Sequence, residues 1–425
     1  MALFGDWKES GFHMKVLLIG VLLTHLGTYM VVPLLPIFLK VDKGMTIAEI
    51  GLILAMSPLT YQVSSLFGGW LADRIGRRGV IAVGAWLNGA AIAGFLLFDT
   101  VWLLMCMGLL SGLGVGLNTP STKAAIAALA TEEDNKTTAF SLRGVAANVG
   151  IAIAGLLTYF VLGGAFPLIF YTATGLYILS GLISLFMLPK GCGDEPCETV
   201  PVKAYVEIFK NKAFVVFSLV SILIWALYTQ LALSLPLRAE DILPDSSVVS
   251  LIWTVNAVIV VALQTLISRR FIEKTHPMYV LALGVLFIGG GLGSIYFSTN
   301  FYWLLASGVI FIIGEMLILP TMDATVSRLG TAKMIGVFFG LTNFVSGVGE
   351  GAGKFAGGQL LRLGTSSSIP WLTFALSAVV ISGLLVALRF WEPLRFSMGR
   401  KSEKLERSTS TSFWRWIFGK RSPAK

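Results

Sequence analysis

Long runs of apolar residues, separated by short polar segments, dominate the chain. A bilayer core about 30 Å thick is crossed by an α-helix of about 20 apolar residues, because each helical residue advances about 1.5 Å. The sequence holds twelve such runs and therefore predicts twelve transmembrane helices. The predicted helices cover residues 16–39, 47–71, 79–98, 102–129, 137–161, 167–188, 213–237, 248–268, 278–297, 302–327, 336–361 and 370–391.

One connecting segment is much longer than the others. Residues 189–212 contain Pro, Gly, Cys and charges of both signs, and they divide the predicted helices six and six. We therefore predict an all-α membrane protein with four parts. These are an N-terminal six-helix bundle at 1–188, a cytoplasmic linker at 189–212, a C-terminal six-helix bundle at 213–391 and a basic cytoplasmic tail at 392–425.

Composition and charge distribution add an orientation to this prediction. The chain is 55% hydrophobic and only 13% charged, which is outside the range of soluble domains. With both termini placed in the cytoplasm, the predicted external loops hold few of the 32 basic residues, namely Lys40, Lys43, Arg238 and Arg362. This bias predicts cytoplasmic termini in a cell (inner or plasma) membrane. It also accounts for the net charge of +9 without a nucleic-acid partner.

A weak internal repeat emerges when the chain is shifted by 200 residues. The segment GVGLNTPSTKAAIA (114–127) then aligns with GEMLILPTMDATVS (314–327), and Gly, Pro and Ala coincide. The two segments lie in the fourth and tenth predicted helices, which are equivalent places in the two halves. Many transporters consist of two six-helix halves related by an axis along the membrane normal. The repeat therefore predicts two pseudo-symmetric bundles.

The loop between the second and third predicted helices reads GGWLADRIGRRGVI (68–81). It resembles the signature loop of the major facilitator superfamily, whose fixed positions are matched here by Gly69, Leu71, Asp73, Arg74, Gly76, Arg77 and Arg78. The resemblance implies the fold of that superfamily and a conformational role for the loop. In that role Asp73 contacts the N-terminus of the eleventh helix, where a helix dipole favours an anion, and closes the cytoplasmic face.

Two further segments resemble the bacterial drug:proton antiporter branch of multidrug exporters. They are FSLRGVAANVG (140–150), which contains Arg143, and IIGEMLILPT (312–321), which contains Glu315. This resemblance implies proton-coupled efflux of small molecules. The subgroup that these segments resemble carries an acid in the tenth helix, as this chain does at Glu315.

Glu315 and Glu350 lie near the middle of their predicted helices. A carboxyl group in the hydrocarbon interior is favoured in its neutral form, so it can take up and release a coupling proton. A permanently neutral or ion-paired carboxyl that joins helices is the alternative. Lys354 follows Glu350 by four residues, the spacing at which side chains meet on a helix face. It could pair with Glu350, or substrate and proton could compete for the two, so we rank Glu315 first as the proton carrier.

Other polar residues in the predicted helices are candidates for binding substrate or gating its path. Lys123, Asp323 and Arg143 lie toward the cytoplasmic ends of their predicted helices. There they either form an ion-pair network at the inner gate or bind substrate. The remaining candidates either hydrogen-bond a substrate or join helices. They are His25, Tyr29, Asn118, Asn148, Gln230 and Asn256.

The glycine-rich segment GVGEGAGKFAGG (347–358) superficially resembles a phosphate-binding loop. The Walker spacing is absent, and no Ser or Thr follows the lysine. The segment also lies inside a predicted membrane helix, where backbone N–H groups are committed to the helix. We expect its glycines to leave a surface poor in side chains, on which neighbouring helices can slide or bend.

Together these features predict a secondary active transporter rather than an enzyme. It would export amphipathic small molecules by alternating access in exchange for protons, act as a monomer surrounded by membrane lipids, and need no cofactor or metal. The alternative is an exporter or flippase of an anionic metabolite, siderophore or lipid with the same fold. A membrane enzyme or sensor is disfavoured, because the three histidines lie in different regions of the sequence.

Overall fold

The structure is a computed structural model that describes residues 11–129, 133–189, 210–272, 274–329 and 335–394. Most of the predicted linker, 190–209, and most of the predicted tail, 395–425, lie outside these residues. We call residues 12–187 the first half and residues 212–390 the second half. The first half consists of α1 (Phe12–Val31), α2 (Leu35–Val41), α3 (Ile47–Ile75), α4 (Arg77–Leu97), α5 (Val101–Leu129), α6 (Glu133–Leu156) and α7 (Phe166–Met187).

The second half consists of α8 (Lys212–Tyr228), α9 (Gln230–Ile242), α10 (Ser250–Ile267), α11 (Pro277–Ser294), α12 (Phe301–Leu329), α13 (Ile335–Leu361) and α14 (Ser368–Phe390). Short 3₁₀ segments lie at Ser246–Val249 and Ile295–Phe297, and single π turns at Leu157–Val161 and Ser268–Ile272. Within the described residues the protein is therefore all-helical.

Eleven helical stretches of the described chain are long and apolar enough to cross a membrane, so this is a multi-pass membrane protein. The remaining predicted span, 336–361, forms α13, a helix of 27 residues that is rich in glycine and carries Glu350 and Lys354. Large side chains such as Trp102 and Phe186 are exposed on the outside of the bundle. Exposed apolar surface of this kind suits a lipid environment. The orientation of the termini remains a prediction.

The first span contains a break that the sequence prediction lacks. The predicted run 16–39 is one span, Phe12–Val41, but it consists of α1 and α2 separated by a turn at 32–34. Pro33 has no N–H to continue the hydrogen-bond ladder, whereas the Val32 N–H still reaches the Thr28 carbonyl at 2.9 Å. A similar break at Thr229 separates α8 from α9.

The 200-residue repeat is visible in the helix boundaries. The helices α5 and α12 have bounds that differ by 200 residues at both ends, and each contains a proline, Pro120 and Pro320, at the same place. The packing of the helices repeats as well, because α4 contacts α5 and α7 just as α11 contacts α12 and α14. The halves meet where α3 packs against α13 and where α6 packs against α10.

Local interactions explain where several helices begin. Gly76 has φ of +94°, a conformation that favours glycine, and it lets α4 start directly after α3 ends. Ser367 and Asn211 accept backbone N–H groups at the starts of α14 and α8. His276 does the same for Met278 at 3.3 Å. Burial, followed by the charges of Arg389 and Arg328, lowers the pKa of His276 and so keeps its ring a hydrogen-bond acceptor.

Candidate functional site

One end of the bundle is closed by charged residues from both halves. The Lys40 ammonium, at the end of α2, forms ion pairs with Glu240 and with Asp241 at the end of α9. The Asp241 carboxylate also accepts a hydrogen bond from the Thr365 hydroxyl. We call these four residues the gate cluster and their end of the bundle the gate end.

Further hydrogen bonds join the two halves close to this end. The Ser250 hydroxyl donates to the Gly155 carbonyl at 3.3 Å, and the Thr254 hydroxyl donates to the Ala152 carbonyl at 2.9 Å. Both bonds link α10 to α6. Each hydrogen bond that joins a described residue of the first half to a described residue of the second half therefore lies toward the gate end.

The glycines of α13 allow close contact with α3 across the two halves. A Cβ added at Gly358 would lie 2.7 Å from the Gly51 Cα, and one added at Gly351 would lie 2.7 Å from the Leu59 Cγ. Side chains at these positions would collide with α3, so the two helix backbones can lie this close only because both positions are glycine. We call this side of α13 the α3 face.

A second series of glycines packs α13 against α8 within the second half. A Cβ added at Gly349 would lie 2.6 Å from the Ile222 carbonyl oxygen, and one at Gly353 would lie 2.6 Å from the Ala226 Cα. The glycines of 347–358 thus provide close-packing surfaces on two sides of one helix. The charged residues Glu350 and Lys354 lie between these surfaces and line cavities.

Among the described residues, two cavities in the interior of the bundle are lined by residues of both halves. The first has a volume of about 300 Å³ and lies mainly among helices of the first half. Asn88 and Ser111 form part of its wall, and the Ser111 hydroxyl donates to the Asn88 Oδ1 at 2.7 Å. Its apolar wall includes Ile53, Ile92 and Phe95.

The second cavity has a volume of about 190 Å³ and lies between helices α1 and α6 of the first half and the helices of the second half. It brings together six candidate residues that the sequence places on five different predicted helices. They are Tyr29, Asn148, Asn256, Glu315, Glu350 and Lys354. Aromatic residues complete much of the wall, namely Tyr228, Trp253 and Phe311.

Glu315 projects from α12 into the second cavity only, and the Tyr228 hydroxyl lies beside its carboxyl group. No basic residue of the described chain comes within ion-pair distance of it, since the three ion pairs found there all involve Lys40 or Lys43. The carboxyl group is thus reachable from the cavity and is not neutralised by a fixed cation. These are the properties that a proton carrier requires.

Glu350 and Lys354 line both cavities, so they form the wall that the two share. They follow each other by one helical turn, yet no nitrogen to oxygen distance between them is 4.0 Å or less. The sequence leaves open a direct salt bridge between these two residues. In this structure the described residues provide neither of them with an ion-pair partner.

Lys123, Asp323 and Arg143 lie toward the end of the bundle opposite the gate end. The side chains of Lys123 and Asp323 are exposed, and that of Arg143 is half-buried. Their charges act on one another, Lys123 on Asp323 and Arg143 on Lys123, but none of the ion pairs of the described chain includes them. These three residues form no ion pair with one another in this structure. An ion-pair network at the inner gate therefore stays a prediction for another conformation.

Three other candidates hydrogen-bond to backbone carbonyls, and two of these contacts join helices. The Gln230 amide donates to the Ala226 carbonyl at 2.7 Å and to the Gly353 carbonyl at 2.8 Å, which ties α9 to α13. The Asn118 amide donates to the Ile81 carbonyl at 2.9 Å. His25 Nδ1 donates to the Val21 carbonyl within α1 at 2.8 Å. None of the three lines either cavity.

The signature loop is a tight turn between two helices. Gly69, Asp73 and Arg74 belong to the last turns of α3, and the side chains of Asp73 and Arg74 lie outside the part of the chain that is described. Arg78 donates to the Leu185 carbonyl at 3.3 Å, which connects the start of α4 to the end of α7. The predicted contact of Asp73 with the eleventh helix remains a prediction.

Sequence reasoning missed several residues of the site. The first cavity is lined by the polar residues Thr28, Ser57, Tyr61, Asn88 and Ser111, which the sequence shows only as isolated polar positions in apolar runs. It also missed the gate cluster, although the partners Lys40 and Glu240 differ by 200 residues, the same offset as the repeat.

Comparisons with known proteins agree with this architecture. A family model described as the Major Facilitator Superfamily matches residues 17–354. The uncharacterized transporter YqjV of Bacillus subtilis is 24% identical over 413 residues, covering 94% of this chain and 99% of that protein. The multidrug resistance protein MdtH of Escherichia coli K12 is 26% identical over 390 residues, which cover 92% of this chain and 95% of that protein. The crystal structure of the nucleoside transporter NupG superposes with a TM-score of 0.79 at 15% sequence identity, and the match covers 88% of this chain and 99% of that one.

Proposed function

The chain belongs to the Major Facilitator Superfamily of secondary transporters, and we propose that it exports amphipathic small molecules in exchange for protons. It is a transporter and not an enzyme. The name of the MdtH relatives, multidrug resistance proteins, supports a role in efflux. The cavities support an amphipathic cargo, because their walls combine apolar and aromatic residues with a few polar groups.

The observation that carries the coupling is the position of Glu315. Its carboxyl group lies in a cavity between the halves, beside the Tyr228 hydroxyl and without an ion-pair partner in the described chain. A proton on this group removes a negative charge from the cavity, and the proton-bound and proton-free forms then favour different conformations. We propose that the gate end faces the cell exterior, so that the structure corresponds to the state closed to the outside.

Transport then follows from rocking of the two halves about the cavities. With the gate end closed, cargo enters from the cytoplasmic end, where Lys123 and Asp323 are exposed. Opening of the gate cluster releases cargo outside, and Glu315 takes up an external proton. The signature loop closes the cytoplasmic face in that outward-open state. Glu350 lies in the same cavity and is the second candidate for carrying the proton.

Glu315→Gln tests this proposal in liposomes that contain a pH indicator. A compound that drives proton flux through the native protein should drive none through the variant, because an amide cannot exchange a proton at this position. Glu392→Gln is the matched control, since Glu392 is an exposed carboxyl after the last helix. Both variants should fold, as judged by their elution from a size-exclusion column. Normal proton flux through Glu315→Gln would contradict the proposal that Glu315 carries the coupling proton.

An anionic cargo is the second candidate function. It is favoured by the exposed ammonium of Lys123, for which the described residues provide no ion-pair partner, and by the nearby Arg143. In binding assays an anionic cargo should lose affinity directly in Lys123→Ala, whereas the affinity for a cation should not fall.

A further inference from the structure

We propose that the cargo of this transporter is zwitterionic, with a cationic amine that Glu350 binds and an anionic group that Lys354 binds. This inference rests on the proposed function for the direction of transport, but the binding site it assigns stands on geometry alone. It separates the roles of the two acids that line the cavities. Glu350 holds the cargo, and Glu315 is left to exchange the proton.

The first step is the arrangement of the two charges. Glu350 and Lys354 are four residues apart on α13, a spacing that places their side chains on the same helix face. Both line both cavities, so a carboxylate and an ammonium face the same space. They do not form an ion pair with each other, and no other described residue forms one with either of them.

The second step is that the protein supplies little else to satisfy these charges. On one side of them the α3 face of α13 contacts Gly51 and Leu59, and on the other side Gly349 and Gly353 contact the backbone of α8. Both residues are half-buried, and a charge withdrawn from bulk water is unfavourable unless it is paired and hydrogen-bonded. The described chain supplies neither charge with an ion-pair partner, so the cavity is the side from which one can come.

The third step is that a ligand with one charge satisfies only half of this site. A cation that pairs with Glu350 brings its charge close to the ammonium of Lys354, and an anion that pairs with Lys354 approaches the carboxylate of Glu350 in the same way. A molecule with both charges, in the opposite order to the protein's, pairs with both residues at once.

An unsatisfied acceptor provides an independent sign of a ligand with N–H donors. Asn256 is buried and lines the second cavity, and its Oδ1 has no hydrogen-bond partner among the described residues. Buried polar atoms are nearly always hydrogen-bonded. An ammonium group has three donors, so it can serve Glu350 and still donate to an acceptor of the same cavity.

The shape of the site also defines the apolar part of the cargo. The charged pair lies in the wall between a cavity of about 300 Å³ lined by Ile53, Ile92 and Phe95 and one of about 190 Å³ lined by Trp253 and Phe311. The expected cargo thus has its two charges near one another and an aromatic or aliphatic group that fills the larger cavity.

Three fluorescent probes with the same apolar group test this inference on the purified full-length protein. Nε-dansyl-L-lysine is a zwitterion, its methyl ester is a cation, and its Nα-acetyl derivative is an anion. Fluorescence titration in detergent gives the three dissociation constants without any pH gradient. We expect the zwitterion to bind at least about ten-fold more tightly than either derivative, the factor expected for one charge-assisted hydrogen bond.

Two variants should remove this preference in opposite ways. In Lys354→Met the zwitterion and the methyl ester should bind alike, because the site for the carboxylate is gone. In Glu350→Gln the zwitterion and the Nα-acetyl derivative should bind alike, because the site for the amine is gone. Lys43→Met is the control, since Lys43 pairs with Asp99 at the gate end and lines neither cavity.

The inference is overturned if the native protein fails to prefer the zwitterion, including the case in which none of the three probes binds. This comparison uses the native protein, so it holds even if a variant does not fold. It is also overturned if both variants weaken all three probes equally. Proton flux in Glu315→Gln is a separate measurement. The proposed coupling can fail while the preference for a zwitterion remains, and the preference can fail while the coupling remains.

Discussion

Lys40→Gln should open the gate end. Lys40 pairs with Glu240 and Asp241 across the two halves, and the side chains of the three residues are 25%, 24% and 30% exposed. Partly exposed ion pairs contribute about 0.2 to 1 kcal/mol each. Loss of two pairs that share one lysine should therefore destabilise the closed form by roughly 1 kcal/mol. That change raises the ratio of open to closed molecules about five-fold.

The ratio can be measured as a distance between the halves. Spin labels at Asp42 and Arg362, two exposed positions on opposite halves near the gate end, report the separation by pulsed electron paramagnetic resonance, after the native cysteines have been replaced. The ratio of the long-distance to the short-distance population should rise about five-fold in Lys40→Gln. Because the pairs are partly exposed, high salt should produce part of the same change in the native protein.

Lys43→Gln is the matched control for this measurement. Lys43 is only three residues away, but its ion pair with Asp99, at 2.6 Å, and its hydrogen bond to the Leu96 carbonyl both stay within the first half. Its loss should leave the distance distribution unchanged. An unchanged ratio in Lys40→Gln, or an equal shift in both variants, would contradict the assignment of the gate cluster.

Two further predictions concern the contacts of α13. Gly358→Ala should also open the gate end, because the new Cβ would lie 2.7 Å from the Gly51 Cα and overpacking costs about 1 to 3 kcal/mol. The same distance measurement checks this prediction. Gly383→Ala is the control, because a Cβ at Gly383 meets no atom within 4 Å and should leave the distance distribution unchanged. Gln230→Met should lower the midpoint of thermal unfolding in detergent, because it removes the bond to the Gly353 carbonyl and such interhelical bonds contribute about 0.6 to 1.7 kcal/mol in a membrane protein. An unchanged midpoint would contradict a stabilising contribution of this bond.

The helices could be predicted closely from the sequence because lipid imposes one length and one polarity on every span. The predicted spans 102–129 and 302–327 are the observed Val101–Leu129 and Phe301–Leu329 within two residues. The break at 32–34 was not predictable in the same way. Pro120 and Pro320 are tolerated inside helices, so proline alone does not reveal where a helix ends.

The site was predictable as a set of residues but not as an arrangement. Charged and amide side chains in an apolar span are conspicuous, and Glu315, Glu350, Lys354 and Asn256 meet in one cavity. Gln230 is equally conspicuous, yet it bonds the backbone of α13. The difference depends on how each helix is rotated against its neighbours, and that rotation is determined by contacts between residues far apart in the chain.

The glycine surface of α13 has an energetic consequence for the transport cycle. Side chains that are immobilised when two helices meet lose rotamer entropy, up to about 2 kcal/mol each for long residues, whereas glycine loses none. Gly51 and Gly358 can therefore meet and part without ordering or releasing any side chain of their own. The free-energy difference between the two open forms can then stay small. A small difference is one that the binding of a single proton or a single cargo molecule can reverse.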